Sequence, residues 1–395
     1  MQSERVTVFD TTLRDGEQAA GVFFSKSAKV EIAELLDAMK VDVIEAGFPV
    51  SSPGECASVA AVAAQVRDAC VCALSRAVPA EVDATWNAIR RARNPRIHVF
   101  LSSSEIHLAH QLRRGADEVV AMARAAVARA RSHTANVEFS CMDATRSDPE
   151  FVARVVRAAL AAGAGTINLP DTVGWARPEQ VAEMFRGLYA RVPELAGAVA
   201  SFHGQDDLGM ATANSLAAIG AGARQVELAV NGLGERAGNT AFEEVVMALR
   251  VHGAALGVHT GVETRGIWGV SQAVARHSGI AVPANKALVG GNAFRHASGI
   301  HQDGVLKRRD TYEAIDPAEI GHPTGSEIVL GKLSGRHGFA ARVRALGVEL
   351  NGPALDRAFA RFQRVADQRG GVGDRELVAL CREDDAAAAA QAASA

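Results

Sequence analysis

Short apolar runs recur along the first 230 positions, and each is followed by a polar turn and a longer segment with apolar residues at helical spacing. The runs are Val6–Phe9, Val43–Ala46, Cys70–Leu74, Ile97–Leu101, Val137–Ser140, Thr166–Leu169, Ala198–His203 and Gln225–Val230. Apolar stretches this short, rich in β-branched residues, read as strands, and the 3.6-residue period between them reads as helix. Segments 26–40, 115–132, 177–191 and 240–255 carry that period and are rich in Ala, Leu, Glu and Arg, all four good helix formers. Strand and helix alternating eight times predict an α/β protein built as a (β/α)8 TIM barrel. A doubly wound open sheet is the runner-up. No G-x-G-x-x-G follows the first run, which weighs against it.

Beyond about residue 275 the rhythm changes. "GGNAFRHASGIHQDGVLKRRDTYEAIDP" is polar, His-rich and broken by glycines, which predicts loop and short helix. Residues 325–382 return to helical periodicity, as in "DRAFARFQRVADQ". The expected division is a catalytic barrel over 1–275, a smaller, mainly helical lid region over 276–382 and a disordered Ala-rich tail over 383–395.

Composition adds exclusions. The chain has 395 residues, 48% hydrophobic and 22% charged, with a net charge of −3, so neither nucleic acid nor an anionic membrane is an expected partner. The start "MQSERVTVFD" lacks the regions of a signal peptide, and no apolar run approaches the ~18 residues that would span a bilayer. Five cysteines without an export signal fit a reduced, cytoplasmic protein. Cys70 and Cys72 form C-x-C inside an apolar run and are expected to pack as small hydrophobes. His107, His110, His133 and His252 are expected in surface or packing roles.

In a barrel of this kind chemistry gathers at the C-terminal strand ends. The first run ends in "FDTTLRDGEQ", the fifth in "FSCMDATRSD", the sixth in "NLPDT", the seventh in "FHGQDD" and the eighth in "NGLGERAGN", while the fourth carries His98. Asp15, His203, Gln205 and Asn239 together offer one carboxylate, one imidazole and two amide oxygens, a set that suits a divalent ion with open positions for substrate. The competing reading of His203 is a satisfied rim histidine. Glu45, at the end of the second run, either approaches the metal or hydrogen-bonds within the barrel.

These stretches resemble the acyltransferases that condense acetyl-CoA with a 2-oxo acid, the family of 2-isopropylmalate, homocitrate and citramalate synthases. The matching segments are "DTTLRDGEQ" with Lys29 downstream, "EAGFPVSSPGE", "NLPDTVGW", "HGQDDLGMATANSLAAIGAGARQVE", "NGLGERAGN", "SGIHQDGVLK" and "LGKLSGRHGF". They cover almost all of 5–370, and "EAGFPVSSPGE" and "HQDGVLK" are most similar to 2-isopropylmalate synthase. The resemblance implies an amino-acid-biosynthetic transferase. A divalent cation (Mg, Mn or Zn) would sit on Asp15, His203, Gln205 and Asn239, and acetyl-CoA would be co-substrate. Arg14 would stabilise the developing oxyanion. Thr172 would hold the substrate carboxylate, and His98, Ser140, Met142, Asn168 and Pro170 would line the side-chain pocket. His301 and Tyr312 match the family's catalytic pair. Asn231, Gly232, Gly234, Glu235 and Arg236 would let the cofactor approach the backbone. It further implies a homodimer with an exchanged C-terminal region, and no leucine-binding regulatory domain.

Two positions depart from the family pattern. Gln205 stands where the family has His, which favours harder ions; Asp206 or Asp207 could compensate. Met142 stands where the family has Glu, and a thioether moves no proton. Trp175 replaces the more usual Tyr. Three readings follow: condensation with an altered 2-oxo acid in specialised metabolism, an ordinary 2-isopropylmalate or homocitrate synthase that tolerates both changes, or a catalytically weak paralogue that binds ligand or partners an active subunit.

Overall fold

A computed structural model describes residues 3–382; the Ala-rich tail expected over 383–395 lies outside the described residues. The chain divides into two compact units, one ending at Val282 and one starting at Pro283.

The first unit is a closed, all-parallel barrel of eight strands in sequence order. They are β1 (Thr7–Asp10), β2 (Val43–Glu45), β3 (Cys70–Arg76), β4 (Pro95–Ser102), β5 (Val137–Met142), β6 (Thr166–Asp171), β7 (Val199–Gly204) and β8 (Gln225–Leu228). Each overlaps a run predicted from sequence, which settles the choice against the open sheet. β8 closes onto β1 through Thr7↔Gln225 and Phe9↔Glu227. The surrounding helices begin on local signals. α1 (Lys26–Ala38) is capped by the Ser25 hydroxyl, which accepts from Ala28 N. α2 (Pro53–Gln65) is capped by Ser52 and α5 (Pro149–Ala161) by Asp148, both with proline in the first turn, where the missing N–H costs nothing. The other barrel helices are α3 (Pro79–Ile89), α4 (Ala116–Arg131), α6 (Pro178–Arg191), α7 (Ala211–Gly220), α8 (Phe242–Leu256) and α9 (Ile267–Ser278). None of the described helices is long and apolar enough to cross a membrane.

The barrel interior combines a small apolar cluster with polar layers. Phe9, Val43, Cys70 and Cys72 form one buried cluster, as expected for the C-x-C pair, and burial pushes the Cys70 thiol up to about 11. Beside it runs a polar floor. Arg96 Nη1 donates to Glu138 (2.9 Å) and Gln225 (2.8 Å), and Gln225 Nε2 donates to Glu138 (2.7 Å) and Ser201 (3.0 Å). Strand residues two apart share a face, so Glu138, Ser140 and Met142 of β5 stack upward from this floor.

The second unit carries α10 (Gly299–Lys307), α11 (Arg336–Ala345) and α12 (Gly352–Arg369). Its core is Phe339, Val343, Leu355, Ala358, Phe362, Leu377 and Cys381. A two-residue parallel pairing joins Arg295–His296 to Glu327–Ile328.

Candidate active site

Four side chains converge where β1, β7 and the loop after β8 end, and all four residues are at most 5% exposed: Asp15, His203, Gln205 and Asn239. Each is oriented by a partner behind it. The His203 Nδ1–H donates to Glu227 Oε2 at 2.9 Å, which leaves Nε2 with a lone pair facing the centre. Asn239 Nδ2 donates to Asp15 Oδ1 and to Leu233 O, both at 2.9 Å, so Asn239 Oδ1 faces inward. The Gln205 amide lies against the carbonyls of Gly238 (2.9 Å) and Glu235 (3.2 Å). With Oε1 on those carbonyls, Nε2 donates to Asn239 Oδ1 (3.1 Å) and Asp15 Oδ1 (3.4 Å) and meets His203 Nε2 (3.1 Å); turned over, the NH2 donates to the two carbonyls and Oε1 faces inward. Gln205 Oε1 then lies 3.1 Å from Asn239 Oδ1 and 3.1 Å from His203 Nε2.

In that turned orientation three acceptors at this spacing have no donor between them, and they repel one another unless something positive sits among them. Cis donors around an ion at ~2.1 Å lie about 3 Å apart, so the spacing fits a cation. The H-x-Q spacing therefore places the Gln205 amide, turned either way, among the Asp15, His203 and Asn239 side chains. With the Gln205 oxygen inward, the set of three oxygens and one nitrogen suits a hard ion. Asp15 completes it as a carboxylate. Burial pushes its acid up, but the Arg14 charge and the hydrogen bonds from Asn239 and the Glu235 backbone outweigh burial and hold it well below the usual range.

A second string of contacts runs from Arg14 across the barrel. Arg14 Nη1 meets Asp15 Oδ2 at 2.6 Å and Arg14 Nε meets Glu45 Oε2 at 2.7 Å. Glu45 Oε2 also accepts from Thr11 Oγ1 (2.7 Å), and Glu45 Oε1 faces His98 Nδ1 at 2.8 Å. His98 Nε2 lies 2.6 Å from Ser140 Oγ, which also accepts from Asn168 Nδ2 at 2.9 Å. Burial pushes the His98 imidazolium down, yet the Glu45 hydrogen bond and the charges of Glu138, Glu45 and Glu227 raise it to about 9. The charged ring donates at both nitrogens. Ser140 Oγ therefore accepts twice, and its own hydroxyl hydrogen is free for a ligand. Asn168 Oδ1 is buried with no hydrogen-bond partner. Glu45 is thus the hub that positions Arg14 and His98 by hydrogen bonds within the barrel. Clusters such as His98, Glu138 and Glu227 also bring potential ligand atoms together, but both His98 nitrogens are already engaged.

Above these groups lies a cavity of about 250 Å3 lined by Arg14, Asp15, His98, Ser140, Met142, Asn168, Pro170, Thr172, His203 and Gln205. Phe48, Leu74 and Phe100 join Met142 and Pro170 as its apolar wall. Every residue expected to line the substrate pocket borders this cavity. Thr172 Oγ1 accepts from Asp143 N at 2.9 Å, leaving its hydrogen free.

The loop after β8 divides. Glu235 and Arg236 line the cavity, and Arg236 grips Asp207 with two 2.8 Å contacts. Asn231, Gly232 and Gly234 do not line it. Asn231 spends both ends of its amide on Ser271. A Cβ on Gly234 would lie 2.1 Å from Asn239 Nδ2 and 2.9 Å from Asp15 Oδ1, so this glycine makes room for two of the converging side chains. Trp175 borders a separate hollow of about 540 Å3, with Nε1 donating to Thr145 Oγ1 at 3.3 Å. Sequence reasoning missed Glu227, Leu74 and Phe100. The signal was the alternation within "QVEL" and "CVCALSR", which puts Glu227 and Leu74 on the inward face.

In the second unit, His301 on α10 and Tyr312 are stacked with ring centroids 4.0 Å apart and planes at 22°. Both are exposed. Gln302, fully buried, anchors the helix by donating to His296 O and Val329 O, each at 2.9 Å.

Residues 5–274 match the HMGL-like family, and residues 288–370 match the homocitrate synthase post-HMGL domain-like family. The chain is 50% identical over 381 residues to the 2-isopropylmalate synthase of Syntrophus aciditrophicus, covering 96% of this chain and 74% of that one. It is 49% identical over 382 residues to the 2-isopropylmalate synthase of Pyrococcus furiosus, covering 97% and 76%. The barrel is also similar to solved HMG-CoA lyases. That of Pseudomonas aeruginosa gives a TM-score of 0.61 at 23% identity over 71% of this chain and 96% of the other. A Bacillus subtilis lyase gives 0.60 at 22% over 72% and 98%. At these identities the likeness is one of fold.

Proposed function

The chain belongs to the 2-isopropylmalate synthase family, and from that membership we infer that it is an acyltransferase condensing acetyl-CoA with a 2-oxo acid at the buried mouth of the barrel. The observation that carries the reading is the Gln205 amide lying 3.1 Å from both Asn239 Oδ1 and His203 Nε2 beside an ionised Asp15. With the Gln205 oxygen turned inward, these four residues would hold a divalent cation, and the oxygen-rich set would select Mg or Mn over Zn. When bound, the cation supplies Lewis-acid polarisation of the keto group.

The remaining work falls to the chain's own groups. The Thr172 and Ser140 hydroxyls, each with its hydrogen free, bind the substrate's oxygens. Arg14 uses Nε and Nη1 on Glu45 and Asp15 and presents Nη2 to the keto oxygen as it gains charge. The apolar wall of Phe48, Leu74, Phe100, Met142 and Pro170 takes the aliphatic side chain. His301 and Tyr312 remove a proton from the acetyl methyl group. The methyl carbon then bonds to the keto carbon, the alkoxide takes a proton, and water cleaves the thioester to release CoA. Met142 contributes shape and no proton transfer. A second copy of the chain supplies His301 and Tyr312, so the working unit is a homodimer.

The test is thiol release from acetyl-CoA with a panel of 2-oxo acids, on protein stripped of metal and then resupplied. Release with 3-methyl-2-oxobutanoate that needs Mg or Mn supports the reading. No release with any 2-oxo acid in the presence of any divalent ion overturns it.

A further inference from the structure

The rings of His301 and Tyr312 are exposed, and no hydrogen bond among the described residues fixes either one. Their stack, 4.0 Å between centroids with planes at 22°, is therefore set by the chain beneath them. Gln302, the residue after His301, is fully buried and donates to His296 O at 2.9 Å. His296 O also accepts from Val329 N at 3.0 Å, which fixes this carbonyl in the pairing of Arg295–His296 with Glu327–Ile328. On the other side, Glu313, the residue after Tyr312, accepts from the His296 Nε2–H through Oε1 at 2.8 Å. Gly304 completes the seat. It lies three residues after His301 on α10, and residues three apart share a helix face. A Cβ at Gly304 would lie 2.6 Å from Tyr312 Cε2, so the glycine lets the Tyr312 ring rest on bare helix backbone beside His301.

His296 is thus joined through its carbonyl to the neighbour of one ring and through its imidazole to the neighbour of the other. Stability alone does not account for this arrangement. The His296 and Glu313 side chains are 8% and 3% exposed, and Glu313 Oε2 is buried with no hydrogen-bond partner. An unsatisfied buried acceptor costs free energy, and apolar side chains in place of a buried pair are often as stable or more so. What the hydrogen bond adds over an apolar contact is a fixed distance and direction.

We propose that His296 and Glu313 are a positioning pair, which holds the His301 and Tyr312 rings at the separation that proton transfer requires. Both are buried and act through the residue beside each ring. The chemical role rests on the acyltransferase reading, which assigns the acetyl methyl proton to the two rings.

The experiment compares two variants with the wild type. Glu313→Gln keeps an oxygen to which His296 donates. His296→Phe/Glu313→Met replaces both partners by apolar groups of similar size, a change that spares the fold. In the double variant kcat for thiol release falls by about 10- to 100-fold, while KM for the 2-oxo acid, bound by the barrel, and the melting temperature stay the same. Glu313→Gln keeps kcat near the wild type. A second readout needs no turnover. In protein with isotope-labelled histidine, the Hε1 resonance of His301, assigned by its loss in His301→Gln, is displaced by the Tyr312 ring relative to its position in Tyr312→Leu. The displacement persists in Glu313→Gln and disappears in the double variant. A double variant that keeps the displacement or keeps kcat overturns the inference, as does a fall of kcat in Glu313→Gln equal to that in the double variant. A double variant that unfolds makes the pair part of the fold and overturns the inference too. If the wild type releases no thiol with any 2-oxo acid, the acyltransferase reading fails. The displacement alone then decides the positioning, and its persistence in the double variant refutes it.

Discussion

Replacing Glu45 with Gln tests the logic of the buried string directly. In the wild type, Glu45 Oε1 faces His98 Nδ1 while Oε2 holds Arg14 and Thr11. A Gln amide keeps its oxygen toward Arg14 and Thr11 and turns its NH2 toward His98. Nδ1 must then be an acceptor, so the ring becomes neutral. The native imidazolium is raised from the ordinary 6.5 to about 9. A group raised on folding binds its proton in the native state where the unfolded chain has lost it. Its stabilisation is complete below 6.5 and disappears as pH climbs through 9. The shift corresponds to about 3 kcal/mol, of which about 2 kcal/mol is lost between pH 7.5 and 9. That narrower window is the informative one, because Asp10 and Glu138, buried carboxyls raised to about 7, complete their own contribution below it, and the thiols lose protons above it. The assay is urea unfolding of metal-stripped protein at pH 7.5, 8, 8.5 and 9. The wild type should lose stability with a slope approaching 1.4 kcal/mol per pH unit, and Glu45→Gln should be nearly flat. Parallel slopes would refute the charged state of His98, and with it the assignment of a free Ser140 hydroxyl.

Other changes give equally direct outcomes. Glu227→Gln loosens the imidazole of His203 and should lower divalent-ion affinity by about 10- to 100-fold, measured by titration calorimetry. Gln205→His should shift the preference from Mg or Mn toward Zn, read as a reversal of affinity order in competition titrations. Lys29→Met strips the shared cation from Glu17 and Glu55 and should cost about 3–5 kcal/mol in denaturant unfolding. His301→Ala, at an exposed position, should reduce thiol release by about 10²–10⁴-fold with melting temperature unchanged.

The barrel was legible because parallel strands buried on both faces leave near-continuous apolar runs, and all eight appeared in the sequence at nearly their final positions. The observed strands mostly extend further toward the reaction end, as β5 does to Met142 and β6 to Asp171. Polar side chains that line the mouth break the apolar pattern, so a pattern-based boundary stops short. His203, Gln205, Asp15 and Asn239 were legible as a group because each lies at a strand end or the turn after it. Their orientation was not, since it depends on carbonyls of Glu235 and Gly238 that sequence does not place. Glu227 and Glu138 were missed for a related reason. A single acid inside a short strand looks like an interruption until the barrel closes and Arg96, His98 and His203 meet it. The glycines of "NGLGERAGN" signalled a close approach correctly in kind, but for Gly234 the approaching atoms are the protein's own.

The floor of Arg96, Glu138, Gln225 and Ser201 ties together strands that are far apart in the chain. A one-residue slip of β5 would turn Glu138 out toward the helices and strand the guanidinium of Arg96 in the interior. The base of the barrel therefore penalises misregistered closure with unpaired charge, whatever occupies the rim. Substitutions at the rim, Gln205 and Met142 among them, are free to accumulate without endangering assembly of the scaffold beneath.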